Sequence, residues 1–325
     1  MTNPAEKAGA RDRPFYFIET PIELSVDLPI DVDDGIRLRK LTAEEAEDVF
    51  YHLDVFWRGG AAVREPYCFT CERQWGDDGT SFKFFHNDLA FEHWKVYALE
   101  RSDDAGYHCH QVQSLCRLTS LLSPTLRSGL SVTPNGGGAW HNRSRPAYWA
   151  SEFKWMPQEG PVDDDYIRSW RLLNQQQKTV GPGHFEHVFK LFSSTEDVLS
   201  CTSPRGPVDD MYTLSLFAVL EAALTHRANG RDDAISRQLG AKMKLLQNRF
   251  SKQLDYSFFG GNDIPSVWKA LYNARSEIAH GGSRDRLAEM RSANKRLDEF
   301  LRRACQAVLR QMLIEPELLH DLRNC

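Results

Sequence analysis

The sequence predicts an α+β fold, with a sheet-rich domain over residues 1–165 followed by an up-and-down helical bundle over residues 166–325. Three observations carry that reading. Short apolar runs bounded by Gly, Pro and Asp fill the first half, apolar residues recur at helical spacing in the second, and seven of the eight tryptophans precede residue 171. A chain of 325 residues is long enough for two domains.

In chain order, Phe15–Ile18, Ile22–Val26 and Ile36–Leu38 read as strands. Leu41–Phe50 reads as a helix, with Thr42 as N-cap and Glu45 closing a capping box. Lys95–Leu99 and Val112–Leu118 are further strand candidates, and Ser131–Arg145, with Gly136-Gly137-Gly138, reads as a loop. Beyond Asp163-Asp164-Asp165 the spacing predicts helices over Tyr166–Lys178 and His184–Leu199. A linker over Cys201–Pro207 precedes a helix opened by Asp209-Asp210 and another opened by Asp232-Asp233. Ile264–His280 and Arg284–Leu313 complete the bundle.

Bulk properties exclude several classes. With 41% hydrophobic and 26% charged residues the composition is that of a globular protein, and no apolar run approaches membrane-span length, so no membrane partner is expected. The N-terminus lacks the layout of a secretory signal, and seven scattered cysteines do not form a disulfide framework, which predicts a cytoplasmic protein with reduced thiols. Net charge is −5, but residues 1–200 carry 21 Lys/Arg against 30 Asp/Glu while residues 201–325 carry 19 against 15. An anionic ligand is therefore expected at the C-terminal part.

That part holds the most informative segment, Leu271-Tyr272-Asn273-Ala274-Arg275-Ser276-Glu277-Ile278-Ala279-His280-Gly281-Gly282. Arginine offers a planar fork of donors to a phosphate, and histidine moves a proton near neutral pH. Arg275 falls on the apolar stripe of its helix, four positions after Leu271 and seven after Trp268, so it needs an anion or an interface. Glu221, on the apolar stripe between Phe217 and Leu224, needs a partner in the same way. Five helical steps separate Arg275 and His280 by about 140°. The two do not stack, and a site using both requires the reach of the arginine or a second copy of the chain.

Arg275-x4-His280, within Leu271-Tyr272-x2-Arg275-Ser276-x2-Ala279-His280-Gly281, resembles the signature of HEPN domains, most closely the Apea-like group. Helix Leu216–Leu224 is similar to the one that carries a buried glutamate in that group, and the resemblance spans roughly residues 205–315. One departure is Ser276, where many active members have Asn, Asp or His. The resemblance implies a metal-independent, cofactor-free endoribonuclease that works as a homodimer or higher homo-oligomer on an RNA substrate. It also implies a toxin or effector role in bacterial anti-phage defence (abortive infection); the first domain, which the resemblance does not cover, would then sense a trigger, such as a phage-derived one, or restrain the nuclease. On that reading Arg275 and His280 are catalytic, and Ser276, Tyr272 and Glu221 support them. The alternative is a catalytically inactive HEPN module acting in binding or scaffolding, with Arg275 pairing to Glu221 and His280 ending its helix.

Other candidates rank lower. The basic residues Arg291, Lys295, Arg302 and Arg303 of the last helix can grip an RNA backbone, although Asp298 and Glu299 interleave them. Cys68, Cys71, His108 and His110 offer a zinc-type donor set, but the spacing matches no finger and a core role for the cysteines is the commoner outcome, so no metal is expected. The triple glycine lacks the Lys-Ser/Thr of a phosphate loop.

Overall fold

The computed structural model describes residues 13–57, 64–75, 82–101, 109–133, 137–141, 161–181, 183–201, 208–226, 234–250, 254–259, 262–281 and 297–324. They belong to two compact units, residues 1–171 and 172–325.

The first unit is organised by a six-stranded sheet in the order β2 (Ile30–Asp33), β3 (Ile36–Lys40), β6 (Tyr97–Arg101), β1 (Phe15–Phe17), β7 (Leu130–Val132), β8 (Gly138–Trp140). All its pairings are antiparallel. β1 is a central strand and all three of its residues are buried, as a strand covered on both faces requires. Phe15, Phe17, Ala98, Leu130 and Val132 share one face, packed against Ala46, Val49, Phe50 and Leu53 of helix α1 (Ala43–Trp57).

The capping box opens α1 as its sequence predicts. Glu45 N–H donates to Thr42 Oγ1 at 3.2 Å, and Thr42 N–H donates to Glu45 Oε2 at 2.8 Å. Glu45 also anchors Arg39 of β3 through two bonds of 2.7 and 2.8 Å, tying helix to sheet. A single helical turn, Glu65–Cys68, leads into a separate hairpin of β4 (Phe69–Trp75) and β5 (Phe82–Asp88).

Three expectations for this unit do not hold. Val112–Leu118 is not a strand but part of helix α2 (Cys109–Leu118), whose buried residues Val112, Leu115 and Cys116 follow the i, i+3, i+4 rule. Ile22–Val26 contributes only the isolated bridge of Leu24 to Val162. Within the predicted loop of residues 131–145, β7 and β8 pair as a hairpin, because Leu130 and Val132 supply an apolar face that the glycines do not cancel.

Helix α3 (Asp164–Val180) contains the boundary between the units. Tyr166 donates to Pro124 O at 2.6 Å and Trp170 Nε1 to Leu115 O at 2.9 Å, which commits the start of α3 to the first unit.

Every described element of the second unit is helical: α4 (His184–Cys201), α5 (Val208–Leu224), α6 (Ile235–Leu246), α7 (Ile264–Ala279), α8 (Leu297–Ile314) and α9 (Pro316–Asn324), with a short 3-10 turn at Ser257–Phe259. The expected final helix is described from Leu297; residues 284–296 lie outside the described set. α5 touches α4, α6, α7, α8 and α9, and buries Tyr212, Leu216, Phe217, Val219, Leu220, Ala223 and Leu224. Its C-terminal end is tied to α6. Lys242 Nζ donates to Leu224 O at 3.0 Å, and the Gln238 amide oxygen accepts His226 N–H at 3.0 Å.

α7 is set by its two ends and one anchor. The Asp263 carboxylate accepts Ser266 N–H at 2.7 Å as N-cap, with a proline in the first turn. Trp268, fully buried, donates to Tyr256 O–H at 3.0 Å and lies 6.0 Å from the Phe300 ring of α8. Gly240 of α6 lets the first turn of α7 approach closely: a Cβ there would sit 3.0 Å from Pro265 Cα. At the far end Gly281 takes φ +67°, the left-handed conformation that stops a helix and that other residues resist.

Candidate functional site

Glu221 of α5 and Arg275 of α7 face each other, as two charged residues on apolar stripes must. Arg275 Nε lies 3.2 Å from Glu221 Oε1, with side-chain exposures of 25% and 19%. The charges attract, yet Nε and Oε1 are misaligned and neither has a hydrogen-bond partner among the described residues. The bond that does form, Nη2 to Oε2, is long at 3.5 Å. Arg275 is thus held in a loosely aligned ion pair, with its buried Nε unspent. Burial pushes the Glu221 carboxyl above its usual range, and Arg275 only partly offsets this.

The Arg275 guanidinium also lies 5.6 Å from the centroid of the Tyr272 ring, one turn earlier on α7. Tyr272 in turn meets the edge of Phe217 at 6.4 Å. Burial, then Glu221, push its phenol upward, so the hydroxyl keeps its proton at neutral pH.

His280 is the C-cap of α7, exposed, with its backbone N–H bonded to Ser276 O at 3.1 Å. The structure therefore joins Arg275, Tyr272 and Glu221 into one cluster and leaves His280 at the exposed rim of the same helix. Ser276 is half-buried between them along the chain, and its carbonyl serves the helix end.

The remaining candidates fall elsewhere. Arg302 does not lie free on a basic face: its Nε donates to Glu196 Oε2 at 2.9 Å, and Tyr212 O–H donates to the other oxygen at 2.9 Å. With Glu196 only 6% exposed, this is a buried staple of α4, α5 and α8, and it removes Arg302 from the RNA-gripping set. Arg303 is exposed but paired with Glu299 one turn away. Arg291 and Lys295 lie outside the described residues.

Of the zinc-type set, Cys68 is buried with its thiol pushed up to about 12, chiefly by burial, so it stays a protonated core residue. His110 sits on helix α2 rather than on a strand, which removes the alternation argument linking it to His108. His108 and the Cys71 side chain lie outside the described residues. Among the described residues no group of three or more His, Cys, Asp or Glu could hold a metal ion, and no described helix is long and apolar enough to cross a membrane.

Sequence reasoning missed two buried acids. Glu196 needed its partners on α5 and α8 to be noticed. Glu19, 2% exposed, follows the apolar run Phe15–Ile18 directly, which is the signal that could have found it.

No protein-family model, no characterised protein and no solved structure matches this chain.

Proposed function

We propose that the C-terminal unit is a metal-independent endoribonuclease, active as a homodimer, in which Arg275 and His280 carry the chemistry. One observation supports this most: Arg275, bonded to Glu221 only through one long contact of 3.5 Å, shares the end of α7 with an exposed imidazole. A guanidinium held for structure alone would be expected to make a short, aligned bond to the carboxylate, as Arg302 does to Glu196 at 2.9 Å. Arg275 would bind the scissile phosphodiester and stabilise charge developing on it. His280 would take the proton of the ribose 2′-hydroxyl as its oxygen attacks phosphorus, or return a proton to the departing 5′-oxygen. The P–O5′ bond breaks, leaving a 2′,3′-cyclic phosphate and a 5′-hydroxyl, and DNA resists because it has no 2′-hydroxyl. A defence role as an abortive-infection effector is what the HEPN resemblance implies, with the first unit sensing a trigger or restraining the nuclease.

The second reading is a silent HEPN module used for binding or scaffolding. It is favoured by the ion pair itself, which already gives Arg275 a partner. Incubation with total RNA and with DNA in excess EDTA separates the two. The nuclease reading expects RNA cleavage that EDTA leaves intact, cyclic-phosphate ends, and a loss of about 10²–10⁴-fold in His280→Ala. Equal RNA degradation by the wild type and by His280→Ala would mean that the assignment is wrong.

A further inference from the structure

Glu221 by itself cannot fix the plane of the Arg275 guanidinium. Its oxygens meet the arginine at 3.2 Å without alignment and at 3.5 Å near the limit of a hydrogen bond. Contact along one edge leaves the group free to roll about that edge. A second contact comes from below, where the Tyr272 ring lies 5.6 Å from the guanidinium carbon. That ring is itself braced by Phe217, 1% exposed, meeting it edge-on at an interplanar angle of 85°. Phe217 and Glu221 are one helical turn apart on α5, so the same rigid helix supports the ring and supplies the carboxylate.

The HEPN resemblance makes Tyr272 a supporting residue; the geometry points to its ring face as the part that acts. We propose that Tyr272 is a positioning residue whose ring face, rather than its hydroxyl, holds the Arg275 guanidinium in the plane that receives a phosphodiester. The catalytic consequence rests on the nuclease reading above, while the contact itself does not.

The full chain is compared as wild type, Tyr272→Phe and Tyr272→Leu, with Tyr272→Met as a second non-aromatic variant should leucine disturb the helix, and circular dichroism confirms the fold of each. Two quantities are read: kcat/KM on a short RNA, and the Arg275 Nε–H proton resonance, assigned with Arg275→Lys, which a ring face displaces upfield. Tyr272→Phe keeps both. Tyr272→Leu moves the resonance downfield and lowers kcat/KM about tenfold, the scale of a half-buried cation–π contact. A loss in Tyr272→Phe as large as in Tyr272→Leu overturns the proposal, because the hydroxyl would then be the acting group. An unmoved resonance in Tyr272→Leu overturns it as well. If the wild type cleaves no RNA, the nuclease reading falls, and the resonance alone decides whether Tyr272 orients Arg275.

Discussion

Glu19 illustrates what one residue can do to a fold when its charge is buried. Its carboxyl is pushed up to about 7, mainly by burial, with Arg127 and the N–H groups of Gly129 and Leu130 pulling the other way. The folded value exceeds the ordinary one of 4.5. The unfolded chain therefore releases this proton first as pH rises, and stability falls between about pH 4.5 and 7 before levelling off. The effect is about 3 kcal/mol. In Glu19→Gln, which keeps an acceptor for the two N–H groups, denaturant unfolding at pH 5 and pH 8 is expected to lose that difference. Parallel pH profiles for the two proteins would exclude Glu19 as its source. Charged residues on apolar stripes were legible as residues in need of partners, and Arg275 and Glu221 do find one another. Arg302 was not legible in the same way, because Asp298 and Glu299 beside it suggest a solvated face while its real partner, Glu196, lies 106 positions away in the chain.

Among elements, those with a local cause were the easiest to read. α1 carries its own start signal in Thr42 and Glu45, and α7 carries its stop in Gly281. α2 was misread because the seven residues Val112–Leu118 carry only four apolar positions, 112, 115, 116 and 118, too few to decide between the two periods. The β4–β5 hairpin was missed, and so was the role of Gly240, which depends on how closely two helices approach. Gly240→Ala tests that approach. Alanine gains about 1 kcal/mol in helix propensity, but a Cβ 3.0 Å from the backbone of Pro265 costs about 1–3 kcal/mol in overpacking. Because proline's ring stiffens the first turn of α7, the second term is expected to win, lowering the unfolding midpoint by the equivalent of about 1 kcal/mol. A raised midpoint would show that the turn yields.

For the molecule as a whole, charge is divided along the chain: residues 1–200 hold 21 basic against 30 acidic groups, and residues 201–325 hold 19 against 15. On the proposed nuclease reading, an RNA would reach α7 with only a mild local attraction, so few phosphate contacts and a shallow salt dependence are expected. Each phosphate contact contributes about −0.7 to the slope of log affinity against log salt for a single strand. Arg275→Ala should therefore flatten the slope by about that amount, measured with a 2′-O-methyl RNA that cannot be cut; an unchanged slope would remove the phosphate from its role. The change from sheet to helix was readable in the tryptophans and in the spacing; the units divide at 171/172, six residues beyond the expected 165/166, because Tyr166 and Trp170 at the start of α3 bond to carbonyls more than 40 residues back.

α5 has a consequence for how this protein can vary. A helix touched by five others and tied off by Lys242 has almost no freedom to translate or rotate. Glu221 and Phe217 are thereby fixed in space, and any drift in the cluster must be taken up by α7. Substitutions that retune the candidate site should thus gather on one side of it, from Tyr272 to His280, while the opposite wall stays as a template against which they are fitted.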